Sequence, residues 1–265
     1  MFPFVSPLPT SSDVFLFALV LCRIGGLFAA LPVFGGRRLP ARIKILAVVS
    51  ITLVCMPVLK ITPPVIPADS FGVAFIVFKE VMIGLTLAFI TQVIFAAVEF
   101  SGQIIGMQMG FSIASVIDPT MGNQTQIMSV MQGLLATLFF LSLNIHHSFI
   151  RAIADSFDLI PLGGWNMSEA LLKFLINVTT DVFILGIRLA SPVMVSLLLA
   201  SVVLGVMARA FPQMNVFMVS FPLNIALGFL VLGMTLLLFF HVLEISFGAM
   251  RNQVDIIFRL IAKGG

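Results

Sequence analysis

The chain has 265 residues, of which 60% are hydrophobic and only 9% are charged, and its formal net charge is +3. Because a soluble domain carries roughly 25% charged residues, this composition excludes a soluble globular protein and indicates an integral membrane protein. The net charge suggests basic loops on the cytoplasmic side of a membrane, and no basic cluster with interleaved aromatic residues indicates nucleic-acid binding. Cys22 and Cys55 lie inside hydrophobic runs and are interpreted as small core residues. The N-terminus has no basic segment before its first hydrophobic run, so we expect no cleavable signal peptide.

The first half of the chain contains three hydrophobic runs, at residues 14–34, 45–59 and 71–100. Each is predicted to form a helix that crosses or enters the membrane. The loop at residues 35–44 holds the densest group of basic residues, so we place it in the cytoplasm and the N-terminus outside. The third run is longer than the roughly 20 residues that one span needs, and a tilted or projecting helix is expected.

Ionisable residues interrupt these runs. Arg23 lies within the first run, and a charge at that depth should face a partner or a cavity because lipid cannot solvate it. Lys79 and Glu80 are adjacent, so on a helix they point about 100° apart and cannot pair well with each other. Each is therefore expected to find its partner on another helix or on another subunit.

The segment at residues 102–124 joins two hydrophobic runs and contains four glycines, no Lys or Arg, and a single acid, Asp118. One interpretation is an ordinary tight connection between two spans. The other is a re-entrant or pore-lining element, because uncharged, flexible backbone at membrane depth is tolerated where it packs against protein or lines a cavity.

The second half contains further runs at residues 127–143, 170–207 and 216–247. Ser168 is predicted to cap the fifth run, which carries Asp181 and Arg188 on one helical face about two turns apart. A polar break at residues 208–215 separates the last two runs.

The tail at residues 251–265 is predicted to be an amphipathic helix. Six spans and an outside N-terminus would place this tail outside, yet its basic residues favour the cytoplasm. A split of the fifth run at Pro192 would make seven spans and would place the basic tail in the cytoplasm. Alternatively, neighbouring subunits cover much of the surface, which also fits the long helices and the internal charges.

The sequence contains no recognisable catalytic arrangement. His241 and Glu244 share a helical face, but no further residue has the spacing that would complete a metal site, so we interpret them as a polar patch at a helix end. No phosphate-binding loop, hydrolase elbow or metalloprotease motif is present. We therefore expect no enzymatic activity, no metal and no cofactor.

Three motifs resemble one protein family. The segment ARAFPQMNVF at residues 208–217, followed by SFPL, is similar to the signature of the FliR family of flagellar type III export-gate proteins, whose injectisome relatives are the SctT proteins. The segment GMQMGFSIASVIDP at residues 106–119 matches the central pattern of the same family, and residues 26–42 fit its early pattern. The resemblance covers essentially the whole chain, and the ARAFPQMN form is more similar to flagellar than to injectisome members.

The resemblance implies an all-α membrane protein with about six long, partly broken helices arranged in hairpins. Residues 1–169 would form a part similar to FliP, residues 170–250 a FliQ-like hairpin with its tip at 208–215, and residues 251–265 the tail. The implied partners are FliP and FliQ subunits in a hetero-oligomeric ring, FlhB at the cytoplasmic side, and unfolded export substrates. The implied location is the flagellar basal body in the bacterial cytoplasmic (inner) membrane, and the implied role is that of a structural pore subunit of the export gate.

The resemblance also assigns roles to particular residues. The central loop would be the plug that closes the pore, with a seal and hinges formed by Gly106, Met107, Met109, Gly110, Phe111, Ile113, Val116 and Ile117. The hairpin tip facing FlhB would consist of Arg209, Phe211, Pro212, Gln213 and Asn215. Arg23, Lys79, Glu80, Asp181 and Arg188 would make buried or inter-subunit charge contacts.

Two functions from other classes compete with this interpretation. A stand-alone secondary transporter or channel would use Arg23, Asp181 and Arg188 as its substrate site, although the two halves of the chain show no matching repeat. The third hypothesis is an intramembrane enzyme. The sequence shows no two residues that could act together as nucleophile and general base, which counts against this hypothesis.

Overall fold

The computed structural model describes residues 11–32, 40–57, 59, 67, 69–111, 127–213 and 215–263. This part of the chain contains eight helices and no strand, which confirms the prediction of an all-α membrane protein. The helices are α1 (Ser11–Ala30), α2 (Ala41–Cys55), α3 (Ser70–Gln108), α4 (Ile127–Ser142), α5 (Ile145–Leu159), α6 (Glu169–Ala210), α7 (Val216–Met234) and α8 (Leu236–Lys263). Three of them, α1, α3 and α6, are long and apolar enough to cross a membrane, and the number rises to five if α4–α5 and α7–α8 each form one broken span.

The third hydrophobic run forms a longer helix than predicted. α3 has 39 residues and ends at Gln108, so residues 102–108 are helical and the loop begins later than residue 102. The glycines at these positions do not end the helix. Gly102 instead allows α3 to pack closely against α4. A Cβ atom added at Gly102 would lie 2.7 Å from the backbone nitrogen of Ser129 in α4.

The sequence predicted the end of the fourth run to within one residue, but it did not reveal the helix that follows or the break in the sixth run. The fourth ends at Ser142, and the amphipathic helix α5 follows after Asn144, which has a positive φ of 53°. The sixth divides at Thr235 into α7 and α8, and α8 continues without interruption through the predicted amphipathic tail. The fifth run, in contrast, is one helix of 42 residues that passes through Pro192.

Ser168 begins α6 as predicted. Its Oγ accepts a hydrogen bond from the backbone N–H of Leu171 at 3.1 Å. This geometry satisfies one of the N–H groups that a helix start leaves without an intrahelical partner. The prediction of a cap at Ser168 is therefore confirmed.

The chain divides into two compact units. The first comprises residues 1–92, 143–178 and 249–265, and the second comprises residues 93–142 and 179–248. Three of the boundaries between them fall inside α3, α6 and α8, and the fourth falls between α4 and α5. This division follows packing alone, so the FliP-like and FliQ-like parts expected from the resemblance stay a prediction.

In the first unit, α1 crosses the first half of α3 at very short range. A Cβ atom added at Gly26 would lie 2.7 Å from the carbonyl oxygen of Val81, and one at Gly84 would lie 2.6 Å from the backbone nitrogen of Leu27. Only glycine allows two backbones to approach this closely. The C-terminal part of α8 also belongs to this unit, and its buried face consists of Met250, Val254, Ile257, Phe258 and Ile261.

In the second unit, the second half of α3 is the central helix. Gly186 of α6 lies against it, because a Cβ atom there would come within 3.0 Å of the carbonyl oxygen of Ala97. Phe95, Phe140 and Phe247 pack with ring centroids 5.7–6.1 Å apart, a spacing typical of edge-to-face and tilted aromatic pairs. These contacts pack the second half of α3 against α4, α6 and α8.

Candidate functional site

The central loop begins at a defined helix cap. Gly110 has a positive φ of 90°, which is the left-handed conformation that glycine adopts without strain. Its N–H donates to the carbonyl of Met107 at 3.1 Å, and the N–H of Phe111 donates to the carbonyl of Gly106 at 3.0 Å. This pair of bonds is the Schellman motif, so α3 ends here because Gly110 permits it. The sequence had suggested that the glycines make the loop mobile, whereas Gly110 gives its start a fixed geometry.

Met109 lies inside the second unit, and none of its side chain is exposed. Its side chain is fully buried in a cluster with Ile105, Met128, Val193 and Leu197. A Cβ atom at Gly228 of α7 would come within 2.7 Å of the Met109 side chain, so this glycine provides the space that Met109 fills. The expectation that Met109 contributes to a seal is therefore corrected, because it anchors the loop to the helices beneath it.

The residues on either side of Met109 have different surroundings. Met107 is 54% exposed. Phe111 is partly buried against the cluster, with its ring centroid 6.5 Å from that of Phe229 in an edge-to-face arrangement. The remaining residues assigned to the seal, Ile113, Val116 and Ile117, lie outside the described residues.

A second candidate site, which is polar, lies in the first unit, where Arg23 and Glu80 form a buried ion pair. Arg23 Nε and Glu80 Oε2 are 2.6 Å apart, and both side chains are fully buried. Arg23 Nη1 also donates to the carbonyls of Ser156 and Ile160 at 3.0 and 3.2 Å, and its guanidinium group lies 4.2 Å from the centre of the Phe157 ring.

The second oxygen of Glu80 extends this network. Glu80 Oε1 accepts from the backbone N–H of Gly163 at 2.6 Å, and Gly163 has a positive φ of 73°. The pair thus connects α1 and α3 to the C-terminal end of α5, where carbonyl groups favour a cation, and to the turn that follows. Glu80 therefore has its partner on another helix of the same chain, which is one of the two alternatives expected for this residue.

The other ionisable residues assigned to charge contacts have no ion pair among the described residues. Lys79 is partly exposed, and its Nζ lies 4.8 Å from the centre of the Phe75 ring. Asp181 and Arg188 are both exposed on α6. Arg23, in contrast, is fully buried and paired with Glu80.

The hairpin tip is exposed at every described position. Arg209 lies in the last turn of α6, and Phe211, Pro212 and Gln213 follow it at the surface. Asn215 has a structural role in addition, because its side-chain oxygen accepts from the N–H of Met218 at 3.3 Å and caps α7. Within the described ranges, no group of three or more His, Cys, Asp or Glu residues could hold a metal ion.

Comparison with known proteins defines the class. Residues 14–250 match the family described as bacterial export proteins, family 1. Together with the long apolar helices, this match shows that the protein is a membrane-embedded bacterial export protein.

Named relatives then give the particular family. The chain is 34% identical to the flagellar biosynthetic protein FliR of Bacillus subtilis (strain 168), over 91% of this chain and 95% of the relative. It is 32% identical to FliR of Escherichia coli (strain K12), over 78% and 79%, and 34% identical to FliR of Pectobacterium carotovorum subsp. carotovorum, over 81% of each chain. The chain thus belongs to the FliR family and is a component of the flagellar export apparatus, as its motifs indicated.

Proposed function

We propose that the chain is a structural pore subunit of the flagellar type III export gate in the bacterial cytoplasmic membrane. It assembles with FliP and FliQ subunits into a closed ring, and its central loop plugs the channel through which unfolded flagellar proteins pass. The exposed tip formed by Arg209, Phe211, Pro212 and Gln213 faces FlhB on the cytoplasmic side. Membership of the FliR family and the surface of α6 support this proposal.

The observation that carries the proposal is the length of the apolar surface on α6. Exposed large hydrophobic residues extend along this helix from Leu172 to Val206. At 1.5 Å per residue they cover about 50 Å, whereas the hydrocarbon core of a bilayer is roughly 30 Å thick. A tilt of more than about 50° would be needed to immerse them all, which exceeds the range of roughly 0–40° seen for membrane helices. A single bilayer is therefore too thin to cover all of these residues, which supports protein partners on α6.

The geometry at the end of α3 supports the plug. The Schellman motif and the buried Met109 side chain fix the point from which the loop departs, and the loop beyond it carries no basic residue that would need water. Met107, Phe111, Ile113, Val116 and Ile117 then form the seal. Methionine and other apolar side chains suit this task because they close around varied polypeptides without a specific fit.

Co-expression with the other export-apparatus membrane proteins, followed by native mass spectrometry, tests the assembly. We expect one defined hetero-oligomer in which this chain is the minority subunit, together with an aggregated or unstable chain when it is expressed alone. A homogeneous species of this chain alone, stable in detergent, would contradict the proposal and favour a stand-alone transporter.

Ion leakage through the assembled complex tests the plug. The double variant Met107→Ala, Phe111→Ala should leak ions in a membrane-potential assay, because it removes the two described seal side chains without touching the Met109 anchor. The matched control is Phe211→Ala, which truncates an exposed aromatic residue at the hairpin tip and should leave the membrane tight. Equal leakage from the two variants at equal complex levels would rule out the plug assignment.

A further inference from the structure

One side of α3 carries polar residues to the surface of the second unit. Over residues 93–109 this helix is mostly buried, and its exposed positions are Ala96, Glu99, Gln103 and Met107. Their spacing of three or four residues places them on one side of the helix, within an arc of about 80°. These four residues are called the polar stripe below, and Glu99 is the one charged residue in this part of the helix.

The polar stripe lies between two helices with apolar outer surfaces. On one side, the hydroxyl of Ser129 in α4 donates to the carbonyl of Glu99 at 2.9 Å. On the other side, Phe183 of α6 packs against Phe100, with ring centroids 5.5 Å apart. The large side chains that α4 exposes are all apolar, namely Ile127, Val130, Leu134, Leu138 and Leu141. The stripe is therefore a narrow polar strip beside an apolar surface.

Lipid cannot cover the polar stripe, because a carboxylate in hydrocarbon is costly. Glu99 forms no ion pair with another residue in the described ranges. Arg188 of α6 borders a pocket together with Ile105, which lies on the opposite side of α3 from the stripe. A protein partner packed on the stripe would bury the Glu99 charge and would have to supply a matching cation. Water solvates the carboxylate without that requirement.

The stripe also leads to the loop that is proposed as the plug. It extends for about 16 Å along the helix and ends at Met107, which is 54% exposed. Three residues later, Gly110 ends α3 and the loop departs. A loop that closes a passage must begin at the border of that passage, so the stripe and the loop share one side of the chain.

We infer that the polar stripe lines the water-filled passage of the export gate and that Glu99 gives this wall a negative charge. This inference rests on the proposed function and adds to it which face of the chain is wet. The Glu99 carboxylate attracts cationic groups that enter the passage and repels anionic ones. Ala96 and Gln103 beside it are uncharged and offer little apolar surface to an unfolded polypeptide.

Cysteine labelling of the hetero-oligomer, purified in detergent, tests whether the stripe is wet. In a background with Cys22→Ala and Cys55→Ala, the single variants Ala96→Cys, Glu99→Cys and Gln103→Cys should react with a small water-soluble thiol reagent. Ala96→Cys changes the side-chain volume least, so it keeps the test valid if a larger change destabilises the chain.

Leu134→Cys and Leu138→Cys on α4 are the matched controls for labelling. Both positions are exposed on this chain, at 44% and 64%, but they belong to an apolar surface that detergent or other subunits cover in the complex. They should react at least about tenfold more slowly, because a thiol must ionise in water before it reacts.

The charge of Glu99 is tested by comparing a cationic with an anionic thiol reagent at Gln103→Cys. This position is one helical turn from Glu99, at about 6 Å. Glu99→Gln should slow the cationic reagent and speed the anionic one, each by about threefold at low ionic strength, so their rate ratio falls about tenfold. Asp181→Asn is the control. Asp181 is an exposed acid that lies about 140° around α6 from Gly186, which faces α3, so the ratio should not change.

Failure of this inference differs from failure of the proposed function. Stripe cysteines that react in the chain expressed alone but not in the hetero-oligomer would show that another subunit covers the stripe, and would overturn the inference while the assembly stands. An unchanged rate ratio in Glu99→Gln would overturn the role of its charge. Reactive stripe cysteines, together with a Met107→Ala, Phe111→Ala variant that does not leak, would support the wet stripe and reject the plug.

Discussion

Arg23 and Glu80 form an ion pair at a place where both side chains are completely removed from solvent. Removing one member of a buried ion pair leaves the other charge uncompensated, so Arg23→Gln and Glu80→Gln should each lower the free energy of unfolding by about 3–5 kcal/mol. Denaturation of the purified protein, or its level in membranes, measures this loss. Lys79→Gln is the control, because Lys79 forms no ion pair in the described part of the chain and its replacement should change stability by less than about 0.5 kcal/mol.

The double variant Arg23→Met, Glu80→Leu distinguishes charge from packing. It should recover part of the loss, since apolar residues of similar volume often replace a buried pair without penalty. A Glu80→Gln variant as stable as Lys79→Gln would show that the pair contributes nothing to the fold.

At the residue scale, the sequence predicted which positions need an explanation but not what they contact. The cost of a charge in a hydrophobic run predicted a partner for Arg23, yet that partner is 57 residues away in the chain and nothing in the local pattern indicates it. Met107 and Met109 look equivalent in the sequence because α3 is apolar on all sides, and only the fold separates the exposed one from the buried one.

Among the elements, α3 depends on glycines at its crossings with α1 and α4. Gly84→Ala and Gly102→Ala should each cost about 1–3 kcal/mol or more, because the added methyl group meets backbone atoms that cannot move aside. Gly133→Ala and Gly205→Ala are matched controls, since nothing lies within 4 Å of a Cβ atom at either position. These controls should stabilise their helices by up to about 1 kcal/mol. Thermal unfolding of the four variants checks the predicted difference in sign.

The start of α6 offers a milder test of a single element. Ser168→Ala removes the side-chain acceptor for the N–H of Leu171 and should cost about 1 kcal/mol. Ser168→Asp keeps an acceptor in the same place and should preserve the wild-type unfolding midpoint. If the alanine and aspartate variants unfold at the same temperature, the cap does not stabilise the helix.

Hydrophobic runs predicted the helices well and their interruptions poorly. A run of apolar residues indicates that a segment is removed from water. A continuous helix and a broken helix can both be removed from water, so the run does not distinguish them. α7 and α8 meet at Thr235, although threonine does not by itself end a helix. Proline often ends or kinks a helix, yet Pro192 lies within a continuous α6. The cap at Ser168 was predictable because its chemistry is local.

For the whole molecule, composition alone predicted an integral membrane protein, and the motifs indicated the FliR family. How the long apolar helices are covered could not be derived in the same way, because coverage is a property of the assembly.

The length of the exposed apolar surface on α6 allows a test of whether other subunits shield it. In a background with Cys22→Ala and Cys55→Ala, cysteines placed at Leu172 and Val206 lie about 50 Å apart along the helix, too far for one bilayer to shield both. In the assembled complex both should resist a water-soluble thiol reagent. In cells that lack the other export subunits, at least one should react. Protection of both without those subunits would contradict the argument from helix length.

The close crossings of α3 also have a genetic consequence. Every single-base change in a glycine codon that yields another amino acid adds a Cβ atom, so Gly84 and Gly102 have no conservative neighbour in the genetic code. Random mutagenesis scored by loss of swimming should therefore recover many different alleles at these two codons. The codon for Gly133, where an added methyl group meets no atom of this chain within 4 Å, should tolerate its change to alanine.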